Sequence, residues 1–319
     1  MNSFRILEAG LSTTIQDGGR RGLLGIGITQ GGATDPFMMA LANTLVNNPP
    51  DAAVLELTLG GLLLEVTGAF SVCLTGAACE LAINGKPVDM AGPHHVNTGD
   101  LVTVGKCHQG IYSFLAMSGG IDTAPVLGSR STVVRENLGG LDGRRLRPGD
   151  SLLLGDSPGV GRTKRTRRDA GGAGIVSELG SCLTLRFIPG FDWEECAPSA
   201  TEGLLASEFS VSSESNRMAI RLTGSHLQTG ISEAWSEATC YGCIQVPSDG
   251  EPFILINDRQ TMGGYPKLGA VIATDCRRLT QARADTQVTF QAITLEEAKH
   301  LAWLETHYQE TLQQALNQP

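Results

Sequence analysis

The run VLELTLGGLLLEVTG, residues 54–68, sets the fold class. Two strand-like stretches are split by a glycine pair and closed by a third glycine, the pattern of short strands joined by tight turns. The same punctuation recurs nearby in FSVCLTG, CELAING, DLVTVG and YSFLAMSGG. It returns later in LTLRFIPG, FSVSSESNRMAIRLTG, CIQVPSDG, PFILINDRQ, AVIATD and QVTFQAI. Forty glycines in 319 residues exceed the usual share of about 7%. They follow no period, which implies many turns and not a fibre. The chain reads as mainly β.

Two helices stand out. In GGATDPFMMALANTLVNNPP, Thr34 or Asp35 can cap a helix that Pro36 starts, with Phe37, Leu41 and Leu45 on one face. In TLEEAKHLAWLETHYQETLQQAL, Thr294 and Glu297 form a capping box, and Leu301, Leu304, Tyr308 and Leu312 supply an apolar stripe. Between the β-rich halves, five basic residues fall within 162–168 among glycines and alanines. The expected organisation is a β domain over 1–155, a linker or long loop over 156–178, a second β domain over 179–293, and a helix with its tail over 294–319.

A net charge of -9 argues against a general nucleic-acid binder, which carries a basic footprint. No apolar run approaches the roughly 20 residues that span a bilayer, and the N-terminus lacks a signal-peptide core. A cytoplasmic location is the expectation. No phosphate loop of the G-x-x-x-x-G-K-[ST] type, no G-x-G-x-x-G after a strand and no biotinyl-lysine turn is present. Of eight cysteines, only Cys240 and Cys243 form a C-x-x-C pair, read as buried thiols. GDSPG at 155–159 matches G-x-S-x-G, but no helix signal follows Ser157. His94 and His95 are adjacent, so on a strand they point to opposite faces. A site without metal is expected.

Three glycine-and-polar clusters remain. In the first, residues 13–35, Gln16, Asp17 and Arg20 can anchor a turn while Gln30 and Asp35 stand at the helix mouth, where free N–H groups suit an anion or carbonyl. The plainer reading pairs Asp17 with Arg20 and leaves Asp35 as a cap. In the second, residues 117–150, Gly119-Gly120 permits close backbone approach beside Ser118, and Arg130 sits between two serines as a fork for carboxylate or phosphate. In the third, INDRQTMGGYPKLG at 256–269, Asp258, Arg259 and Gln260 precede Gly263-Gly264, Tyr265 and Lys267. The glycines remove bulk where donors, an anion and a cation can converge. The plainer reading is an exposed Asp258–Arg259 ion pair.

On TTIQDGGRRG, GGATDPFMMALANTLV, AMSGGID with VLGSRST, NRMAIRLTG and CIQVPSDGEPFILINDRQTMGGYPKLG, the chain resembles the 5-oxoprolinase C-subunit family, also called allophanate hydrolase subunit 2 or the carboxyltransferase subdomain A/B family. It departs from the family's habit at Gly31-Gly32, at Ser118, and at Ser215-Asn216-Arg217-Met218-Ala219. The resemblance implies two cyclophilin-like β-barrel domains and a heteromer with subunits A and B. It also implies ATP-dependent ring opening of 5-oxo-L-proline to glutamate, with ATP held mainly by or with the partners. Related domains transfer a carboxyl group from carboxybiotin to an amide, and some members are regulators that antagonise a kinase inhibitor. For the enzyme reading, Arg259 and Lys267 hold substrate carboxylate or phosphate charge and Gln260 orients a carbonyl or water. Asp258 fixes Arg259 or acts as a base, and Arg130 contributes from the first domain.

Overall fold

A computed structural model describes residues 2–156, 182–231 and 234–317. Ser157 and the basic run at 162–168 lie outside them. The chain divides into two compact units. The first comprises Met1–Arg20, Gly31–Glu178 and Gln309–Pro319, and the second Arg21–Gln30 and Leu179–Tyr308. Residues 21–30, embedded in the sequence of the first half, thus group with the second unit.

The first unit is built from two sheets. A six-stranded sheet runs in the order Ser151–Leu153, Ser3–Ala9, Gly60–Thr67, Leu101–Lys106, Leu81–Ile83, Lys86–Val88. A five-stranded sheet runs Ser12–Gln16, Val54–Thr58, Gln109–Met117, Phe70–Ala78, His94–Val96. Side chains from both, including Phe4, Ile6, Leu64 and Val102 from one and Ile15, Leu57, Leu74 and Leu115 from the other, form a single core.

Their burial patterns differ for a physical reason. Gly60–Thr67 alternates buried and half-buried residues, as a strand with one solvated face does. Phe70–Ala78 is buried almost throughout, because helix α1 (Pro36–Leu45) covers the outer face of its sheet. Asp35 caps α1 by accepting from the Met38 N–H at 3.2 Å, and Pro36 fills the first helical position. Buried Glu56 fixes the helix entrance by accepting from Thr34 N–H (2.8 Å) and Thr34 Oγ1 (3.0 Å). A disulfide joins Cys79 to Cys107.

The second unit closes a seven-stranded barrel in the order Cys182–Pro189, Lys267–Val271, Cys243–Gln245, Phe253–Leu255, Ala219–Gly224, Phe209–Val211, Gln287–Ala292. The first and last strands pair in parallel to complete it. The chain is therefore mainly β, as expected, with hydrogen-bonded closure in the second unit and two facing sheets in the first.

Helices α2 (Pro198–Ala206) and α3 (Ala273–Thr280) flank the barrel. The run AVIATD, read as strand, turns from strand to helix at Ile272. The fully buried Asp275 holds it there, accepting from Arg186 N–H (2.9 Å), Nε (2.8 Å) and Nη2 (2.6 Å). Helix α4 (Leu295–Asn317) starts with the Thr294–Glu297 capping box, Glu297 N–H donating to Thr294 Oγ1 at 3.2 Å and Thr294 N–H to Glu297 Oε2 at 2.7 Å. Its apolar stripe is only partly covered. Leu304 and Tyr308 are exposed, whereas Leu312 and Leu316 pack in the first unit. No helix among the described residues is long and apolar enough to cross a membrane.

Candidate functional site

The segment 256–269 leaves the strand Phe253–Leu255 in a turn, which places Asp258 and Arg259 side by side in sequence but apart in chemistry. Asp258 does not pair with Arg259. Its carboxylate takes a two-point grip from Arg217, Nε to Oδ2 at 2.9 Å and Nη2 to Oδ1 at 3.0 Å, and its own N–H donates to the Arg217 carbonyl. The exposed ion pair is thus corrected twice over: both residues are buried, and the acid belongs to Arg217. Arg217 lies in the NRMAIRLTG motif, which nothing local in the sequence links to Asp258.

Arg259 is 3% exposed and has no carboxylate partner among the described residues. Its Nη1 donates to the Ile256 carbonyl at 3.3 Å, its guanidinium lies 6.0 Å from the centre of the Tyr241 ring, and its Nε has no partner. Burial pushes its pKa below the usual arginine range. Burying a guanidinium without an acid costs stability that a bound anion would offset.

The other candidates of this segment meet residues of the neighbouring strands. The Gln260 carbonyl accepts from Thr239 Oγ1 at 2.5 Å, and the Gln260 amide reaches Gln245 Oε1 at 3.5 Å. Lys267 stands opposite Gln245 in the barrel ladder, with its Nζ 3.5 Å from Glu237. Thr29, in the short 21–30 segment, donates to the Arg259 carbonyl at 3.4 Å, so half-buried Gln30 lies one residue from a contact with this turn. Gly263 is needed for space: a Cβ there would come within 2.6 Å of Gln245 Nε2. A Cβ at Gly264 would make only ordinary contacts, and Tyr265 is half exposed, packed edge-on against Phe253.

Gln245 is the residue that the sequence analysis missed. It is fully buried, and its Nε2 has no partner among the described residues. The signal was a glutamine at a strand position, two residues past Cys243 inside CIQVPSDG, where an apolar residue would otherwise fill a barrel interior.

A second turn, leading into the strand of Gln245, carries the C-x-x-C pair. Cys240 is exposed and Cys243 buried, which corrects the reading of two buried thiols. A hydrogen bond from Cys243 lowers the Cys240 thiol to about 7, helped by the Arg259 charge, while Cys243 is pushed up by the same bond and by burial.

In the first unit the main polar candidates serve the fold, although Gln16 Oε1 and Arg130 Nε have no partner among the described residues. Ser129 Oγ, Ser131 Oγ and Arg130 N–H all donate to Asp17 at 2.5 Å, and Gly19 N–H donates at 2.9 Å. The serines flanking Arg130 thus serve Asp17, and Arg20 reaches the Ser131 carbonyl at 2.7 Å. The Arg130 guanidinium meets Asp122 at 2.9 Å on the surface. Ser118 Oγ accepts from Ser71 N–H at 3.0 Å, and Asp35 is the helix cap. No cluster of metal-ligating side chains occurs among the described residues.

Comparison with known proteins gives this arrangement its family. The family described as "Carboxyltransferase domain, subdomain A and B" matches residues 26–292. The chain belongs to that family. Within it, the chain is 37% identical over 295 residues to the C subunit of 5-oxoprolinase from Escherichia coli, covering 92% of each protein. It is 32% identical over 297 residues to the Haemophilus influenzae protein of the same name, covering 93% of each. Urea amidolyase of Lachancea kluyveri is 28% identical over 94% of this chain and 17% of that protein. The crystal structure of Kluyveromyces lactis urea carboxylase superimposes with a TM-score of 0.86 at 26% identity, over 99% of this chain and 29% of that one. The fold is therefore that of a carboxyltransferase A/B domain, which occurs both as a separate subunit and inside much longer chains.

Proposed function

We propose that this chain is the C subunit of an ATP-dependent 5-oxoprolinase, which opens 5-oxo-L-proline to L-glutamate and turns over only with subunits A and B. One observation carries the reading: in one unit, a buried Arg259 without an acid and a buried Gln245 amide without an acceptor among the described residues, the two linked through Gln260. These groups demand a ligand that brings both negative charge and a carbonyl oxygen, and 5-oxoproline has a carboxylate and a lactam carbonyl. The relatives that match over nine-tenths of their length are named as this subunit, which supports the choice.

A lactam is a poor electrophile, and ATP supplies the chemistry that activates it, by phosphorylating its carbonyl oxygen. With no phosphate loop in the chain, ATP is assigned mainly to the partners. The work left to this chain is binding and orientation. Arg259 holds the carboxylate or the charge that develops on the activated carbonyl, with Lys267 as a second cation. Gln245 Nε2 donates to the carbonyl oxygen, and Gln260 aligns Gln245 and the attacking water. Asp258, locked to Arg217, fixes the turn that presents Arg259 and does not act as a base.

The test is release of phosphate and glutamate from ATP and 5-oxoproline, with this chain alone and with subunits A and B. The reading requires activity in the full mixture that disappears when this chain is left out. A bound but silent mixture would contradict it and direct the assay to carboxyl transfer from carboxybiotin, the chemistry expected of the urea carboxylase relatives, and then to regulation of a kinase inhibitor.

A further inference from the structure

We propose that Cys240 and Cys243 form a thiol–disulfide exchange site, in which Cys240 attacks small disulfides of the glutathione class and Cys243 resolves the adduct into an intramolecular disulfide. The inference stands on the turn and does not depend on the reaction proposed above.

The two thiols are placed asymmetrically. Cys240 faces solvent, whereas Cys243 is 2% exposed at the start of the strand Cys243–Gln245. The turn between them is held tight, since Cys243 N–H donates to the Cys240 carbonyl at 3.2 Å. Gly242, at φ +83°, lies where a Cβ would collide with the Val271 carbonyl and come within 3.1 Å of Cys276 Sγ. The turn is therefore pressed against the barrel, with Cys240 and Cys243 at its two ends.

The neighbouring Cys243 thiol and the buried Arg259 cation both favour the Cys240 thiolate. The result divides the labour: the Cys240 thiolate is available near neutral pH, and Cys243 keeps its proton. A thiol whose pKa lies near ambient pH is the best attacking group for exchange. The third cysteine near the turn, Cys276, is fully buried with its pKa raised by that burial, so it stays out of the reaction.

The exchange balances without a further oxidant. The Cys240 thiolate bonds to one sulfur of RS–SR and expels RS⁻. Cys243 passes its proton to the expelled thiolate and attacks Cys240 Sγ, expelling a second RS⁻, which takes a proton from water. Two protein thiols and one RS–SR give one protein disulfide and two RSH, and excess RSH reverses the sequence.

The experiment treats the full chain with glutathione disulfide at about pH 7.5, where such exchange runs through the thiolate, and maps the products by peptide mass. Wild type should close the Cys240–Cys243 bond and retain no glutathione at either residue. Cys243→Ser should trap one glutathione on Cys240, and Cys240→Ser should leave Cys243 unmodified. Exposed Cys182 serves as the internal reference. If Cys243→Ser fails to fold, alkylation of wild type decides: Cys240 should react roughly tenfold faster than Cys182 at neutral pH. Glutathione on Cys182 with Cys240 and Cys243 left as free thiols, or Cys240 alkylated no faster than Cys182, would overturn the proposal.

Discussion

Two clusters of glycine and polar residues, alike in composition, have opposite fates. Around Asp17 in the first unit a buried charge is fully met, with two serine hydroxyls and two backbone N–H groups converging on one carboxylate. Around Arg259 in the second unit a buried cation and a buried amide are left with unmatched donors. A met charge of this kind stabilises a fold, whereas unmatched buried donors cost stability that a ligand would offset. Composition does not separate the two; the partners of the central buried charge do.

The largest effect should come from opening the closed cluster. Asp17→Ala leaves several buried donors without an acceptor, which costs on the order of 3 kcal/mol or more. Denaturant unfolding should show that loss, while the fraction that remains folded keeps its turnover in the reconstituted complex. A loss of turnover per folded molecule would mean that Asp17 is functional and the contrast is false.

The open cluster should behave in reverse. Gln245→Met preserves volume and removes the unmatched amide, so stability should hold or rise while kcat/KM for 5-oxoproline falls about tenfold, the worth of roughly 1.4 kcal/mol. Unchanged kinetics would remove Gln245 from the site.

Titration of the nearby thiol probes the same contrast. The rate of Cys240 alkylation should rise with pH and reach half its maximum near 7. The groups that face the thiol are Cys243 on its strand, Arg259 on the 256–261 turn, and Cys276 on α3, with Lys267 acting on Cys243 from the neighbouring strand. A positive neighbour favours the thiolate, so Arg259→Met should move the midpoint upward. A midpoint that does not move would place the Arg259 charge too far away to matter.

The smallest effect belongs to Arg130, whose guanidinium meets Asp122 on the surface. Arg130→Ala should change stability by no more than about 1 kcal/mol and leave turnover within about twofold, as expected of an exposed ion pair. A large kinetic loss would restore Arg130 to the site.

Much of this was legible in the sequence, and the limits have physical causes. Glycine-bounded runs announced the β architecture, and Asp35-Pro36 and Thr294–Glu297 announced the two main helix starts, because turns and caps are local devices. Helix α2 carried a legible signal in Pro198 at its first turn, yet α3 did not, since it is anchored by an Arg186–Asp275 pair 89 residues apart. The same reason hid the partner of Asp258, which lies 41 residues upstream at Arg217. Arg259, Gln260 and Lys267 could be singled out in the sequence because they share one segment. Gln245 was not, because it reaches that segment only through barrel pairing.

The open cluster stands or falls with Arg259→Met, measured for thermal unfolding and for glutamate release in the reconstituted complex. Removing a buried cation that lacks an acid should leave Tm unchanged or higher while turnover falls about 100-fold or more. A lowered Tm with full turnover per folded molecule would make Arg259 a structural residue and contradict the account.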